Sequence, residues 1–367
     1  MITKTCRWGF LSTASISQKN WKAIWHASNA TLCGVASRDK SKAQQYIDNL
    51  QRFAPFESAP QAIDGYAALL DSDQIDAVYI PLPTGLRKEW VVRAAEAGKH
   101  VLCEKPCAVS KEDLVEILDA CRQNNVQFMD GVMFMHSLRL KQMRETIDQP
   151  QNIGDIKRIT SSFSFNGGDE WATENIRTSG DLEPLGCLGD LGWYNIRFSL
   201  WAKEWEMPQQ VRGTMLSEYT RSNQASVPIE FSGDMQFADG CSASFYCSFV
   251  SELQQWGVIS GTLGYLQIED FVLPYHGSRT HYELKKAAFD VVGCDFNMEN
   301  RSVNVGTDEH GNAHSTAQET KMIECFSQNV IEGRVDEHWS QIALKTQTIA
   351  NACLHSARNG GNWVDVE

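Results

Sequence analysis

The sequence predicts two domains of different class: a doubly wound α/β domain with a parallel sheet over residues 1–135, and an α+β domain with a large, mostly antiparallel, open-faced sheet over residues 136–367. Three observations carry this. Short apolar runs alternate with helical patterns up to about residue 130, the rhythm of βαβ units. From Gly154 onward the strand-like segments lengthen and follow one another directly. A chain of 367 residues with 42% hydrophobic and 22% charged residues also exceeds what one core encloses.

In the first half, residues 7–11, 31–36, 77–80 and 101–103 are apolar runs too short for helices and suited to strands buried on both faces. Between them, residues 40–50 and 87–97 read as helices, the second closed by Gly98 in the left-handed position after a helix end. Ser110 opens a third helix as its cap, with Asp113 as the reciprocal partner of a capping box. In the second half, residues 156–166, 210–219, 229–237, 242–250 and 256–268 read as strands. Asp239-Gly240 marks a hairpin between two of them. Residues 188–201 form an apolar helix, residues 317–332 and 337–358 form closing helices, and the polar stretch 294–315 reads as a loop.

Composition narrows the function. Lys plus Arg number 33 against 46 Asp plus Glu, a formal charge of −13, which disfavours a non-specific grip on nucleic acid or an anionic membrane. No apolar stretch approaches the roughly 20 residues needed to span a bilayer, and residues 1–6 lack the apolar segment of a signal peptide. The expected location is the cytoplasm. The 11 cysteines are scattered without a Cys-x-x-Cys pair and read as reduced thiols. Cys103 and Cys107 are not accompanied by a full set of ligands for a tetrahedral site, so no metal is expected.

Gly9-Phe10-Leu11-Ser12-Thr13-Ala14 spans the expected passage from first strand to first helix. It is similar to the Gly-x-Gly-x-x-Gly/Ala turn that holds a dinucleotide pyrophosphate, with Gly9 at the tight turn, Leu11 at the middle glycine and Ala14 where the helix packs closely. Ser12 and Thr13 add donors at a helix N-terminus. A strand–turn–helix with a Ser-Thr cap and no ligand fits this motif equally. About 20 residues on, the second strand ends in Val35-Ala36-Ser37-Arg38, where NAD enzymes carry an acid for the ribose 2′-hydroxyl. Ser37 can donate to a 2′-phosphate and Arg38 can offer a guanidinium fork, which favours NADP over NAD. The competing reading is that both merely cap the next helix.

Ile80-Pro81-Leu82-Pro83-Thr84, the following helix with Glu89-Trp90, and Gly98-Lys99-His100-Val101-Leu102-Cys103-Glu104-Lys105-Pro106 form one connected pattern. Together with Asn175-Ile176-Arg177 and Gly189-Asp190-Leu191-Gly192-Trp193-Tyr194, it resembles the glucose-fructose oxidoreductase, inositol dehydrogenase and rhizopine-catabolism family, Gfo/Idh/MocA. Glu-Lys-Pro at a strand end is that family's most specific short mark. Within it the chain looks similar to the dimeric dihydrodiol dehydrogenase and NADP-dependent xylose dehydrogenase branch, which carries tyrosine at the position of Tyr194. The chain departs from the family in placing Arg87 where a histidine is frequent, and residues after Phe271 match nothing in it.

The resemblance implies a cofactor site of Pro81, Leu82, Pro83, Glu104 and Lys105 beside Gly9, Ser12, Thr13, Ala14, Ser37 and Arg38. It implies catalysis by Lys105, Asp190 and Tyr194. On a helix, Asp190 and Tyr194 face the same side. A tyrosine is a weak base at neutral pH, but a nearby ammonium favours its phenolate. The expected reaction is reversible hydride transfer between nicotinamide and a carbinol carbon, with Tyr194 exchanging the hydroxyl proton, Lys105 polarising the oxygen and Asp190 orienting both. Arg177, Asn175 and Trp171 rank below these as substrate contacts; the other tryptophans read as core. The substrate class is a sugar, polyol or dihydrodiol, and the assembly a homodimer or larger, formed through the open sheet. The alternatives are a family member that uses NADP transiently to cleave glycosides, and a non-catalytic NADP sensor.

Overall fold

The computed structural model describes residues 4–366, apart from the side chain of Asp169. The chain forms two compact units and passes between them after residues 136, 178, 184, 311 and 348. One unit comprises the chain through His136 with Ser179–Pro184 and Asn312–Thr348; the other comprises Ser137–Thr178, Leu185–Gly311 and the chain from Ile349.

In the first unit, the strands are β1 (Cys6–Leu11), β2 (Ala30–Ser37), β3 (Gln61–Asp64), β4 (Ala77–Ile80), β5 (His100–Cys103) and β6 (Phe128–Asp130). Among the described residues they form a six-stranded sheet in the order β3-β2-β1-β4-β5-β6, parallel throughout. The strand order reverses between β1 and β4, the place where such sheets open a crevice at their carboxyl edge. Helices α1 (Ser17–His26), α2 (Lys40–Gln51), α3 (Tyr66–Leu70), α4 (Thr84–Glu96) and α5 (Lys111–Gln123) connect them. All four residues of β4 are buried, which is why an unbroken apolar run marks it. Gly98 takes φ 69° after α4. Ser110 accepts from the Asp113 amide at 3.2 Å; the reciprocal half of the box is absent, because the Asp113 carboxylate takes Lys88 Nζ at 2.7 Å instead.

In the second unit, α6 (Leu138–Ile147), α7 (Pro150–Ile153), α8 (Gly168–Glu174) and α9 (Trp193–Ala202) accompany β7 (Ile156–Asn166), β8 (Gln210–Tyr219), β9 (Val227–Gln236), β10 (Ser242–Ser248), β11 (Val250–Gly261), β12 (Tyr265–Ile268), β13 (Thr280–Val292), β14 (Asp295–Thr307) and β15 (Val364–Asp365). Among the described residues these strands form a nine-stranded sheet in the order β14-β13-β12-β11-β7-β10-β9-β8-β15. Of the paired strands among the described residues, β7 and β10 alone run parallel. One face buries Ile159, Phe163, Phe231, Phe245, Ile259 and Leu266, and the fully buried α9 packs there against β7 and β10. Gly240 takes φ 80° between β9 and β10, as Asp239-Gly240 predicts.

Two expectations need correction. Residues 256–268 are not one strand: the chain turns at residues 262–264, where Gly261 and Gly264 lie so close to the Ile153 and Asn152 carbonyls that a Cβ would meet them at 2.1 and 2.8 Å. The stretch 294–315 is not all loop either. Its first part is β14, paired with β13 over 13 residues around a two-residue turn at Gly293-Cys294.

The last two helices, α10 (Gln318–Glu332) and α11 (Glu337–Arg358), follow in sequence. α10 belongs wholly to the first unit and α11 crosses the last boundary. Trp8 on β1 donates its Nε1 hydrogen to Ser327 Oγ at 3.0 Å and packs on Phe326 with ring centroids 4.9 Å apart. Trp8, Trp21 and Trp193 are wholly buried. All 11 cysteines are free, and burial pushes the Cys6 and Cys121 thiols up to about 12, which keeps them protonated and inert.

Candidate active site

At the carboxyl edge of the first sheet, the turn after β1 begins later than Gly9. Gly9 lies inside the strand, paired with Gly34 and Val78, and a Cβ there would meet Leu69 Cδ2 at 2.7 Å. It is a packing glycine, and its backbone faces neighbouring strands. Leu11 is likewise a buried strand residue. The turn starts at Ser12, which takes φ 141° and accepts from the Ala14 amide at 3.1 Å. Ser17, buried at the start of α1, donates to the Ala14 carbonyl at 2.5 Å and bonds Tyr46 Oη at 2.7 Å.

At the end of β2, Ser37 is buried and Arg38 exposed. Neither caps α2: Asp39 does, accepting from Ser41 N at 2.9 Å and Ser41 Oγ at 2.6 Å. Asp39 N donates in turn to Ser37 Oγ at 3.3 Å. The Asp39 carboxylate is thus engaged within its own turn.

The β5 end is held from inside. Tyr79 on β4, wholly buried, donates its hydroxyl to Glu104 Oε1 at 2.6 Å, and Glu104 Oε2 accepts from the Lys105 amide at 3.2 Å. Burial first, then the Glu104 carboxylate, raises the Tyr79 phenol well above its ordinary range, so it stays a donor. The Lys105–Pro106 peptide is cis. Arg87, a departure from the family pattern, has a role that sequence reasoning did not find. It is buried, 5% exposed, and donates to the Leu82 carbonyl at 2.7 Å, to Thr84 Oγ1 at 2.9 Å and to the Pro106 carbonyl. The Thr84 hydroxyl in turn donates to Glu183 Oε2 at 2.5 Å. One guanidinium therefore ties the Pro81-Leu82-Pro83 segment to the strand end bearing Lys105. No spacing rule signals this, because an arginine near a helix start reads as a solvated charge.

In the second unit, Asp190 lies in a π-helical turn, Leu188–Gly192, that runs directly into α9 and Tyr194. The uniform α-helix expected over residues 188–201 is interrupted there. Such i→i+5 turns recur at functional sites. Asn195 steadies this one, donating to the Leu191 and Tyr246 carbonyls at 3.4 and 3.3 Å. Gly192 fits against β10, where a Cβ would approach Cys247 Sγ to 3.2 Å. Tyr194 is 6% exposed and its ring meets Phe163 edge-on at 5.6 Å. Arg177 Nε donates to Asp190 Oδ2 at 2.7 Å, and the Asn175 side chain accepts from the Arg177 amide at 3.1 Å. Arg221 secures this segment by bonding the Asn175 carbonyl and, at 2.7 Å, Thr178 Oγ1. The structure thus joins Asn175, Arg177 and Asp190. Trp171 touches that set through its carbonyl, which accepts from the Asn175 amide at 2.9 Å, while its ring packs on Phe165 and Phe249 at 5.2 and 4.9 Å. Among the described residues no group of three or more His, Cys, Asp or Glu side chains is placed to hold a metal, and no helix is long and apolar enough to cross a membrane.

A six-stranded parallel sheet in this order defines a Rossmann-type, dinucleotide-binding class of fold. Residues 6–132 match the Gfo/Idh/MocA oxidoreductase family, NAD-binding Rossmann fold, and residues 140–267 match the Gfo/Idh/MocA C-terminal domain. A D-xylose 1-dehydrogenase (NADP+) of Haloferax volcanii is 32% identical over 71% of this chain and 74% of that protein. A trans-1,2-dihydrobenzene-1,2-diol dehydrogenase of Mus musculus is 27% identical over 81% and 84%. The crystal structure of an aldose-aldose oxidoreductase from Caulobacter crescentus shares the fold, with a TM-score of 0.80 at 19% identity over 99% of this chain and 100% of that one. The chain belongs to the Gfo/Idh/MocA oxidoreductase family.

Proposed function

We propose that the protein is an NADP-dependent oxidoreductase that moves a hydride between nicotinamide and a carbinol carbon of a sugar, polyol or trans-dihydrodiol. The observation that carries this reading is the anchoring of Lys105, whose strand end is gripped by Glu104 from one side and by Arg87, through Pro106, from the other.

The residues fit a dinucleotide phosphate. Ser12, Thr13 and Ala14 are small, and no side chain caps α1, which suits a pyrophosphate at that helix end. With Asp39 engaged by Ser41, Ser37 and Arg38 are left to receive a 2′-phosphate, so NADP is preferred to NAD. Pro81, Leu82, Pro83 and Glu104 shape the floor of the cofactor site. The bound dinucleotide supplies the hydride acceptor or donor. Tyr194 exchanges the hydroxyl proton, Lys105 donates a hydrogen bond to that oxygen, and Asp190 orients the substrate while Arg177 holds its carboxylate. Asn175 and Trp171 border the substrate. The named activities of the xylose and dihydrodiol relatives support a sugar or diol substrate. We place the protein in the cytoplasm, as a homodimer formed through the open face of the nine-stranded sheet.

Lys105→Met tests the assignment. Turnover with NADP+ and a panel of aldoses, polyols and dihydrodiols is expected to vanish, while NADPH still quenches tryptophan fluorescence with a near wild-type dissociation constant and binds more tightly than NADH. Undiminished turnover in the variant sinks the role of Lys105.

A further inference from the structure

The segment that carries Arg177 keeps its shape by bonds within itself. The Asn175 amide donates to the Trp171 carbonyl at 2.9 Å, closing the end of α8. The Asn175 side chain accepts from the Arg177 amide at 3.1 Å, and the Thr178 amide donates back to the Asn175 carbonyl at 3.2 Å. Thr178, wholly buried, sets its hydroxyl 2.6 Å from the Ala172 carbonyl and 2.8 Å from that of Asn175. All these partners are close in sequence, so the bonds define a turn without fixing where it sits on the nine-stranded sheet. The indole of Trp171 seats one end, packed on Phe165 and Phe249.

Arg221 seats the other end. It comes from the connection between β8 and β9, 46 residues from Asn175 and 43 from Thr178. Its Nη2 donates to the Asn175 carbonyl and, at 2.7 Å, to Thr178 Oγ1. Two observations show that this tie adds little to the stability of the fold. Without Arg221 the Asn175 carbonyl still accepts from the Thr178 amide, and the Thr178 hydroxyl still has a carbonyl to donate to, so neither loses its last partner. Arg221 Nε, moreover, is buried with no hydrogen-bond partner among the described residues, and an unpaired buried donor is a cost. A methionine of similar length would avoid that cost.

The value of the tie lies in what the turn carries. Arg177 Nε donates to Asp190 Oδ2 at 2.7 Å, and Asp190 stands in the π-helical turn that leads into Tyr194. Moving the turn re-aims the guanidinium and, through it, the carboxylate. A misplacement of about 1 Å in groups that orient a substrate costs on the order of 100-fold in rate.

We infer that Arg221 is a positioning residue for the proposed reaction: from the β8–β9 connection it sets the aim of Arg177 on Asp190, acting through Arg177 and not on the substrate itself. The inference rests on the oxidoreductase reading above and adds to it a residue that the sequence did not single out.

Arg221→Met and Arg221→Lys test it in the full chain, with the same panel of aldoses, polyols and dihydrodiols. In Arg221→Met, kcat/KM is expected to fall about 10- to 100-fold, with the melting midpoint within about 4 °C of wild type and NADPH affinity unchanged. Both bonds leave from Nη2, so one ammonium can serve both acceptors, and Arg221→Lys should recover most of the rate. The NMR resonance of the Arg177 Nε–H group, identified by its loss in Arg177→Lys, reports the aim directly. It should move in the methionine variant and return toward its wild-type position in the lysine variant. Wild-type turnover in Arg221→Met, or a loss of rate with the resonance unmoved, overturns the positioning role and leaves the oxidoreductase reading standing. A methionine variant that unfolds, or whose midpoint falls in step with its rate, overturns the role as well, because Arg221 is then a tie of the fold. A wild type without turnover on any member of the panel overturns the oxidoreductase reading and this role with it.

Discussion

Replacing Gly9 by alanine separates two roles that one glycine can play. The added methyl would lie 2.7 Å from Leu69 Cδ2 and 3.2 Å from both Leu69 Cδ1 and Ile75 Cγ2, well inside the 3.5–4.0 Å at which carbon atoms attract. Leu69 is wholly buried and Ile75 nearly so, so neither can swing into solvent, and both side chains must repack against their neighbours. Overpacking of this kind costs about 1–3 kcal/mol, and in a unit of this size each kcal/mol lowers the melting midpoint by roughly 2–4 °C. Circular dichroism melts paired with an NADPH titration read both quantities. The expected result is a lower midpoint with NADPH affinity within about twofold of wild type. An unchanged midpoint with NADPH binding lost would refute the reasoning and return Gly9 to the phosphate turn.

Arg87→Met leaves the Leu82 carbonyl, Thr84 Oγ1 and the Pro106 carbonyl without their donor, at a cost of about 3 kcal/mol. Urea unfolding should shift accordingly and turnover should fall with it. Arg87→Lys should recover only part of both, because an ammonium lacks the fork that spans three acceptors; a methionine variant as stable as wild type would dismiss the clamp. Asp76 sets an acid limit. Burial works against its charge, but the Arg7 guanidinium and amide outweigh burial and hold the carboxyl below its ordinary value. A depressed folded pKa stabilises above the unfolded value, near ~4, and that stabilisation is lost as pH falls through the lower folded value. The urea midpoint of Asp76→Asn should therefore lie below wild type at pH 7, with the difference shrinking toward pH 3; a difference that is constant with pH would reject the linkage.

The parallel sheet was legible because its central strands are buried on both faces. β4 and β5 are short apolar runs that only a strand accommodates, and their ends, with Pro81-Leu82-Pro83 and Glu104-Lys105-Pro106, carry the family's pattern. The turn after β1 was misplaced because Gly9 resembles a turn glycine in one dimension. The apolar run through Leu11 was the available sign that the strand continues. β14 was hidden for the opposite reason: its ribbon meets water on one side and its other face has no cover within the chain, so Asn, Asp and Arg interleave with Phe296, Met298 and Val303 and mask the two-residue period. The π-turn at Asp190 is a change of hydrogen-bond partner, which composition does not record. Arg87 and Glu183 became visible only through contacts between residues far apart in sequence.

The five crossings of the chain set an order of events during synthesis. Trp8 finds its hydrogen-bond partner in Ser327 and its ring partner in Phe326, so the first strand to leave the ribosome waits for more than 300 residues before its environment is complete. The nucleotide-binding unit, although it begins the chain, is therefore completed only after the bulk of the second unit has been made. A nascent chain stopped after residue 311 would hold most of the second unit and still present an open apolar surface around Trp8, which makes the interval before α10 emerges the point at which a chaperone is most needed.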